Sequence, residues 1–377
     1  VTDRRGWRYI AQRLDGINSE EFIDMDLPLS DVNIEQVLTG VNSLTGTISP
    51  EVARLKTPDG RPLLEEWGCA IYAEKDGHIY GGGILERSAP NGPDLQLECI
   101  GFAGYPKEQP YLDSKFFIEE DPLNIFRHIW TYLQGQPGQN LFLNVDSILS
   151  GLKIGTELQQ VEFDTVSGPV SFESGPYKLA YYQTHDLLDN LTDLASDTPF
   201  DWREHHYWSG ETIAHRLELG YPTLGSRRTD LRFVIGENIF ESPQVTLEGD
   251  EYASDVLLLG AGEGPTMIRG AAHRPTDRLR RTAVVSDPNI RSLTAAQKGA
   301  EREVAARVDT DQITDFVAIH HPNAPTGAVQ VGDEIRLEGK TGWVDVDMWV
   351  RVLSTSISPD ESDNMTLSVV PSSRIAA

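Results

Sequence analysis

The chain has 377 residues, with 32 Lys or Arg against 58 Asp or Glu, a formal net charge of −26. That length exceeds what one ordinary core organises and predicts about two to four domains. The acidic excess excludes a protein that wraps a phosphate backbone, which needs clustered cations. No apolar run approaches the length of a membrane span, and residues 1–16 are basic and amphipathic without the continuous apolar stretch of a secretory signal, so folding in a cytoplasm is expected.

Residues 1–14 read as a short helix with Trp7, Ile10, Ala11 and Leu14 on one face, within an N-terminal arm (1–20) suited to docking on a partner. Residues 22–29 read as a strand. Ser30 then caps an expected short helix whose Ile34, Val37, Leu38 and Val41 keep helical spacing until Gly40 ends it. Residues 45–49 are expected to be extended.

The sheet nucleus lies in 67–105. Cys69, Ile71 and Ala73 fall on one face of a strand, and Asp76-Gly77 supplies the positive φ angles of a two-residue hairpin. The chain returns through 79–85 and, after Pro90-Asn91-Gly92-Pro93, alternates strictly as Leu95-Gln96-Leu97-Glu98-Cys99. Gly81, Gly82 and Gly83 mark a bulge, a bend or a close backbone approach. The two cysteines, Cys69 and Cys99, both face inward here and read as reduced thiols acting as small hydrophobes.

A mixed α+β insertion is expected over 106–230. Asp121-Pro122 opens a helix to about Leu133 with Phe126, Ile129, Trp130 and Leu133 as its stripe and Gly135 and Pro137 as its stop. Residues 141–145 and two runs in 161–182 are extended. A second helix spans 185–195 with Leu187, Leu188, Leu191 and Leu194 inward, and a third spans 211–219 behind Ser209. From Leu231 the chain is β-rich again, over 231–235, 243–248, 255–261, 266–272, 281–285, 315–320, 334–337, 343–353 and 365–370. One helix, 292–308, interrupts it, with Thr294 and Gln297 as a capping box and Leu293, Ala296, Ala300, Val304 and Val308 on one face. The fold class is therefore α+β, mainly β: β-rich domains at 21–105 and 231–377 flank the inserted unit.

Each candidate site has a structural competitor. Gly260-Ala261-Gly262-Glu263-Gly264 lacks the Gly-Lys-Ser/Thr ending of a phosphate loop and any following helix. His205, His206 and His215, and likewise His320 and His321, carry metal-binding nitrogens, but neighbours on a strand point to opposite faces. Asp345 and Asp347 between Trp343 and Trp349 come nearest to a glycosidase or sugar-binding face. Such pairs are common by chance in so acidic a chain, and the same holds for Asp24 and Asp26. No catalytic, cofactor-binding or metal residue is assigned, and no enzyme activity or cofactor is expected.

The run 65–85, from Glu65-Glu66-Trp67-Gly68 through Gly81-Gly82-Gly83, resembles minor tail proteins of long-tailed phages of actinobacteria, as do three later runs. These are Gly220-Tyr221-Pro222-Thr223-Leu224-Gly225-Ser226-Arg227-Arg228, the segment 260–264, and Arg278-Leu279-Arg280-Arg281. The group meant is that of baseplate hub, or tail-associated, proteins. The resemblance implies two related β-barrel domains, with smaller α+β domains between them, that pair between subunits into a homotrimeric ring. It also implies a structural place in the virion tail tip, after assembly in the host cytoplasm, among a distal tail protein ring, a tape measure protein and other tail-tip proteins. On this expectation DNA transits the lumen without specific binding during genome ejection, acids line that lumen, and Arg278, Arg280 and Arg281 turn towards partner subunits or carboxylates. The rival expectations are a cell-wall glycan hydrolase and a carbohydrate-binding module of the tail.

Overall fold

The computed structural model describes residues 6–58, 60–165, 168–240, 243, 245–247, 249–262, 264–287, 290, 292–308, 311–342, 345–359 and 363–372. The first third holds β1 (Trp7–Arg13), β2 (Ser30–Val37), β3 (Ser43–Ile48), the single turn α1 (Pro50–Ala53), β4 (Cys69–Lys75), β5 (His78–Asn91) and β6 (Asp94–Ile100). The middle holds β7 (Ser114–Phe117), α2 (Pro122–Gln134), β8 (Leu143–Val145), β9 (Gln159–Thr165), β10 (Gly168–Ser174), β11 (Tyr177–Ala180), α3 (Leu187–Asp197), β12 (Asp201–Ser209) and β13 (Thr212–Gly220). The last part holds β14 (Phe233–Val234), β15 (Val245–Leu247), β16 (Asp255–Leu259), β17 (Arg269–His273), β18 (Thr282–Ser286), α4 (Leu293–Val308), β19 (Asp311–Ile313), β20 (Asp315–Ala318), β21 (Glu334–Lys340), β22 (Asp345–Ser358) and β23 (Asn364–Pro371).

One sheet of 11 strands dominates, in the order β1-β4-β5-β6-β3-β2-β22-β21-β14, with β23 on β22 and β20 on β23. The two β-rich ends expected as separate domains meet in it: β2 pairs antiparallel with β22 from Ile34↔Ile357 to Val37↔Ser354. Leu44, Ile71, Leu85 and Leu97 from the first end share a continuous core with Phe233, Ile335, Val350 and Leu367 from the second. The result is a curled, mostly antiparallel half-barrel within a mixed α+β fold. The curl brings β1 and β4 onto the β22–β23 turn, where Asp363 accepts a hydrogen bond from Trp7 Nε1 at 2.7 Å and pairs with Lys75 Nζ at 2.5 Å.

The nucleus strands form as their alternation predicts. Asp76 and Gly77 take φ of 51° and 81° in the β4–β5 turn, and the register slips by one residue between Ala73 and Glu74, the bulge signalled by the glycines. A Cβ on Gly82 would stand 2.4 Å from the Tyr72 ring, and one on Gly83 2.6 Å from the Ile100 carbonyl oxygen, so only glycine admits this approach. Residues 22–29, expected as a strand, supply single bonds along the outer edge of β1: Ala11 N donates to Asp24 O at 2.8 Å and Leu27 N to Tyr9 O at 2.7 Å. That covers an edge that would otherwise invite pairing.

Three expected helices are strands. Within 1–14, Trp7–Arg13 form β1, paired along its length with β4, so this part of the expected docking arm belongs to the chain's own sheet. Its Trp7, Tyr9 and Ala11 enter one core and Ile10 another, and burial on both faces imitates helical periodicity. The segment after Ser30 is β2, with Val32 and Ile34 alternating inward. The helix expected over 211–219 is β13, because Gly210 at φ 68° completes a hairpin turn and Ile213, His215, Leu217 and Leu219 alternate inward.

The other helices stand where capping and stripes place them. Asp121 Oδ1 accepts the Leu123 amide at 2.9 Å, and Phe126, Ile129, Trp130 and Leu133 of α2 are buried. α3 buries Leu187, Leu191 and Leu194. For α4 the Thr294–Gln297 box does not form; Ser292 Oγ accepts the Ala295 amide at 3.1 Å instead. Expected to cross the second β-rich domain, α4 packs on a small sheet ordered β17-β16-β18, its Ala296, Ala300 and Val304 making a third core with Val256, Leu258 and Ile268.

Candidate functional site

The densest network of buried polar groups among the described residues is the joint that holds the parts in one arrangement. β4 is its spine. Cys69, Ile71 and Ala73 point into the half-barrel core, while Ala70 and Tyr72 point into the core of the inserted unit beside Phe102, Phe126 and Trp202.

Above Tyr72 the β12–β13 hairpin presents Glu204, His206 and His215, all buried. The Glu204 carboxylate accepts the amides of Phe102 at 2.9 Å and Ala103 at 2.8 Å, satisfying the start of the 3-10 turn Phe102–Gly104. His206 and His215 face each other across the hairpin with their Nδ1 atoms 2.9 Å apart. His206 Nε2 stands 2.7 Å from Glu204 Oε1, but off the line a hydrogen bond requires. The His215 ring stacks on Tyr72 at 5.7 Å. Burial, reinforced by His206, pushes the His215 pKa down to about 2, so it is neutral; burial pushes the Tyr72 phenol well up.

The second half of the joint is the loop after β13. Arg351 of β22 is buried, donating through Nη2 to Leu224 O at 2.9 Å and through Nε to Gly332 O at 3.2 Å, and it also pairs with Asp201. Asp201 in turn accepts the Leu224 amide at 2.8 Å and the Thr39 hydroxyl at 3.2 Å. Gly225 has φ of 100°, and a Cβ there would lie 2.2 Å from the Gly332 carbonyl oxygen. Ser226 N donates to Asp333 Oδ1 at 3.0 Å, Arg228 Nη1 meets Asp333 Oδ2 at 3.2 Å, and the Arg227 guanidinium covers Trp349 at 4.7 Å. Residues 220–228, singled out in the sequence, thus fasten the inserted unit and β2 to the second β-rich end. Arg351 and Asp201 carried no sequence signal, because each is an isolated charge 150 residues from the other, and Asp333 reads in the sequence only as part of the Gly332-Asp333 turn.

The remaining candidates are dispersed. Cys69 and Cys99 are free and buried, and burial raises the Cys69 thiol to about 11. Gly260, Ala261 and Gly262 follow β16, with Gly260 N donating to Ile268 O at 2.7 Å, and Gly264 opens the 3-10 turn Gly264–Thr266; Glu263 lies outside the described residues. His205 lies on the opposite face of β12 from His206. His320 and His321 accept, through Nδ1, the amides of Thr326 at 3.3 Å and Asn323 at 3.2 Å. Asp24 Oδ1 accepts the Asp26 amide at 2.8 Å in a local turn. Asp347 is gripped by Arg336 through two bonds of 2.9 and 3.0 Å, which hold its carboxyl below the usual range, and Asp345 pairs with Lys340 at 3.4 Å. Trp343 lies outside the described residues. Arg280 pairs with Asp255 at 2.5 Å, Arg281 donates to Gly249 O at 3.0 Å, and Arg278 covers Tyr252 at 5.3 Å. No group of three or more His, Cys, Asp or Glu placed to hold a metal occurs among the described residues.

A curled sheet built from both ends of one chain, with a mixed unit seated on its outer face, has counterparts among solved structures. The fold is that of prophage tail proteins. The chain is similar to the 43 kDa tail protein of prophage MuSo2 from Shewanella oneidensis, at a TM-score of 0.59 and 11% identity over 98% of this chain and 100% of that one. It is similar also to a tail protein from Neisseria meningitidis, at 0.55 and 14% over 97% and 96%, and to prophage tail protein gp18 from Listeria monocytogenes, at 0.56 and 9% over 96% and 94%. No protein-family profile and no curated protein sequence matches the chain.

Proposed function

We propose that the chain is a structural subunit of a phage tail tip, the central baseplate hub. Three copies form a ring linking the tail tube to the distal tip, through which DNA passes. In this reading the strands of 21–105 and 231–377 act as two hub barrels, 106–230 is the insertion between them, and the chain serves as the minor tail proteins of actinobacterial phages do. Partners are a distal tail protein ring and a tape measure protein, and the charge of −26 keeps the lumen from holding the duplex. The observation that carries the proposal is a fold shared with a prophage tail protein over 98% of the chain.

The hydrolase reading is the weaker one, because the two carboxylates it would use are each tied to a cation across the strand pair, Asp347 to Arg336 and Asp345 to Lys340. The deciding experiment is a mass measurement and image reconstruction of assembled tail tips. Three copies in a closed ring are expected; a single copy, or a ring lacking this chain, overturns the assignment. Cleavage of host cell wall by the purified protein, lost in the Asp345→Asn, Asp347→Asn double variant, would replace it with the hydrolase.

A further inference from the structure

The tip of the β5–β6 hairpin carries a reactive dipeptide. Among the asparagines of the sequence, Asn91 alone is followed by glycine. β3 follows β6 only as far as Ile48↔Leu95, whereas β5 and β6 pair on to Asn91↔Asp94, so the turn Asn91-Gly92-Pro93-Asp94 stands beyond the neighbouring strand. Asn91, Gly92 and Pro93 are exposed. Gly92 turns the chain at φ 61°, and a Cβ there would have no atom within 4 Å.

Two groups at this tip are unengaged. The Asn91 carboxamide makes no hydrogen bond among the described residues, and the Gly92 N–H donates to no acceptor among them. Asparagines in the interior are held fast instead. Asn42, 4% exposed, accepts the Val37 amide through Oδ1 at 2.8 Å, and the fully buried Asn238 accepts the Val234 amide at 2.7 Å and donates to Arg232 O at 2.8 Å.

A carboxamide free to turn beside an unhindered main-chain nitrogen can close a ring. Once the Gly92 amide has lost its proton to hydroxide, its nitrogen attacks Asn91 Cγ. The N–Cγ bond forms, the Cγ–Nδ2 bond breaks, and Nδ2 leaves as ammonia after taking a proton from water. The succinimide then takes up one water. Opening at Cγ leaves aspartate, and opening at the main-chain carbonyl leaves isoaspartate, in which the chain runs through Cγ. Glycine favours the attack because no Cβ crowds the nitrogen.

We propose that Asn91 is a site of spontaneous deamidation, which converts the hairpin tip of the folded protein to aspartate and isoaspartate. The new carboxylate stands opposite Asp94, a like-charge cross-strand pair that loosens the tip. The isoaspartyl product also lengthens the main chain by one atom and breaks the Asn91↔Asp94 register.

The test holds the purified full chain at body temperature at pH 7 and pH 8 and follows digests by mass spectrometry. The peptide containing residue 91 should exchange the mass of NH2 for that of OH, about tenfold faster at pH 8, in step with the ionised fraction of the Gly92 amide. Peptides containing Asn42 and Asn238 should stay unchanged, and Asn91→Gln, whose ring needs one more carbon, should abolish the change. Amides over 94–96 should exchange faster in the modified fraction. The chain unfolded in denaturant supplies the rate of the dipeptide without the fold. Asn91 left intact in the folded protein while the unfolded chain converts overturns the proposal, because the turn then blocks ring closure. Conversion of Asn42 as fast as Asn91 overturns it as well, and unchanged exchange over 94–96 overturns the loosening of the tip.

Discussion

In β4 every residue from Cys69 to Glu74 is buried, split between two cores, whereas α4 buries only Ala296, Ala300, Val304 and Val308 of its 16 residues. β4 is flanked on both sides by paired strands and roofed by the β12–β13 hairpin. α4 rests on three short strands in a core of its own. Local stability follows the apolar area and the number of cooperating contacts that must be lost together, so the first region is bound to global unfolding and the second opens at lower free energy. The difference also separates tasks. The joint around β4 fixes how the parts sit, while the small unit is held by a core that α4 shares with its own short strands.

The contrast can be broken most directly at Arg351. Truncation by Arg351→Ala leaves the half-buried Asp201 carboxylate without its cation and the carbonyls of Leu224 and Gly332 without the guanidinium, which should lower the unfolding free energy by about 3–5 kcal/mol in chemical denaturation. A loss under about 1 kcal/mol would show that the joint does not carry the arrangement.

His215 sharpens the same point through pH. Its folded pKa of about 2 lies below the ordinary 6.5, so between those values the unfolded chain takes up a proton that the folded chain refuses. Stability contributed by neutral His215 is intact above pH 6.5 and falls as pH drops below it, by about 1.4 kcal/mol per pH unit. Denaturation midpoints measured from pH 7 to 5 should show this slope, and His215→Phe should flatten it whatever its effect at pH 7. An unchanged slope in the variant would place the acid sensitivity elsewhere.

The smallest effect is expected at Asp347. Its pair with Arg336 is exposed and screened, so Asp347→Asn should leave the thermal midpoint close to that of the parent protein. A large drop would mean that this strand pair belongs to the stabilising framework with β4.

Much of the framework was legible locally. The Asp76-Gly77 turn, the alternation of Leu95, Leu97 and Cys99, and the Asp121-Pro122 start each depend on neighbours within a few residues, and each stands in the fold as read. β1 imitates a helix in the sequence because it is buried on both faces. Ile10 fills the hole between Tyr9 and Ala11 in the pattern because it serves a second core. In 211–219 the turn at Gly210-Glu211 was passed over in favour of a cap at Ser209.

By itself the sequence determined the Asp76-Gly77 turn, the Asp121 cap, the inward-facing thiols and the acidic charge, since these depend on a residue's own chemistry and its nearest neighbours. Only the tertiary structure decided that the two β-rich ends share one sheet, that Arg351 meets Asp201 from 150 residues away, and that Asp347 is neutralised by Arg336 across a strand pair. Those pairings form because folding closes long loops and desolvates charges that must then find partners, and neither the loop closure nor the partner is written in the local pattern.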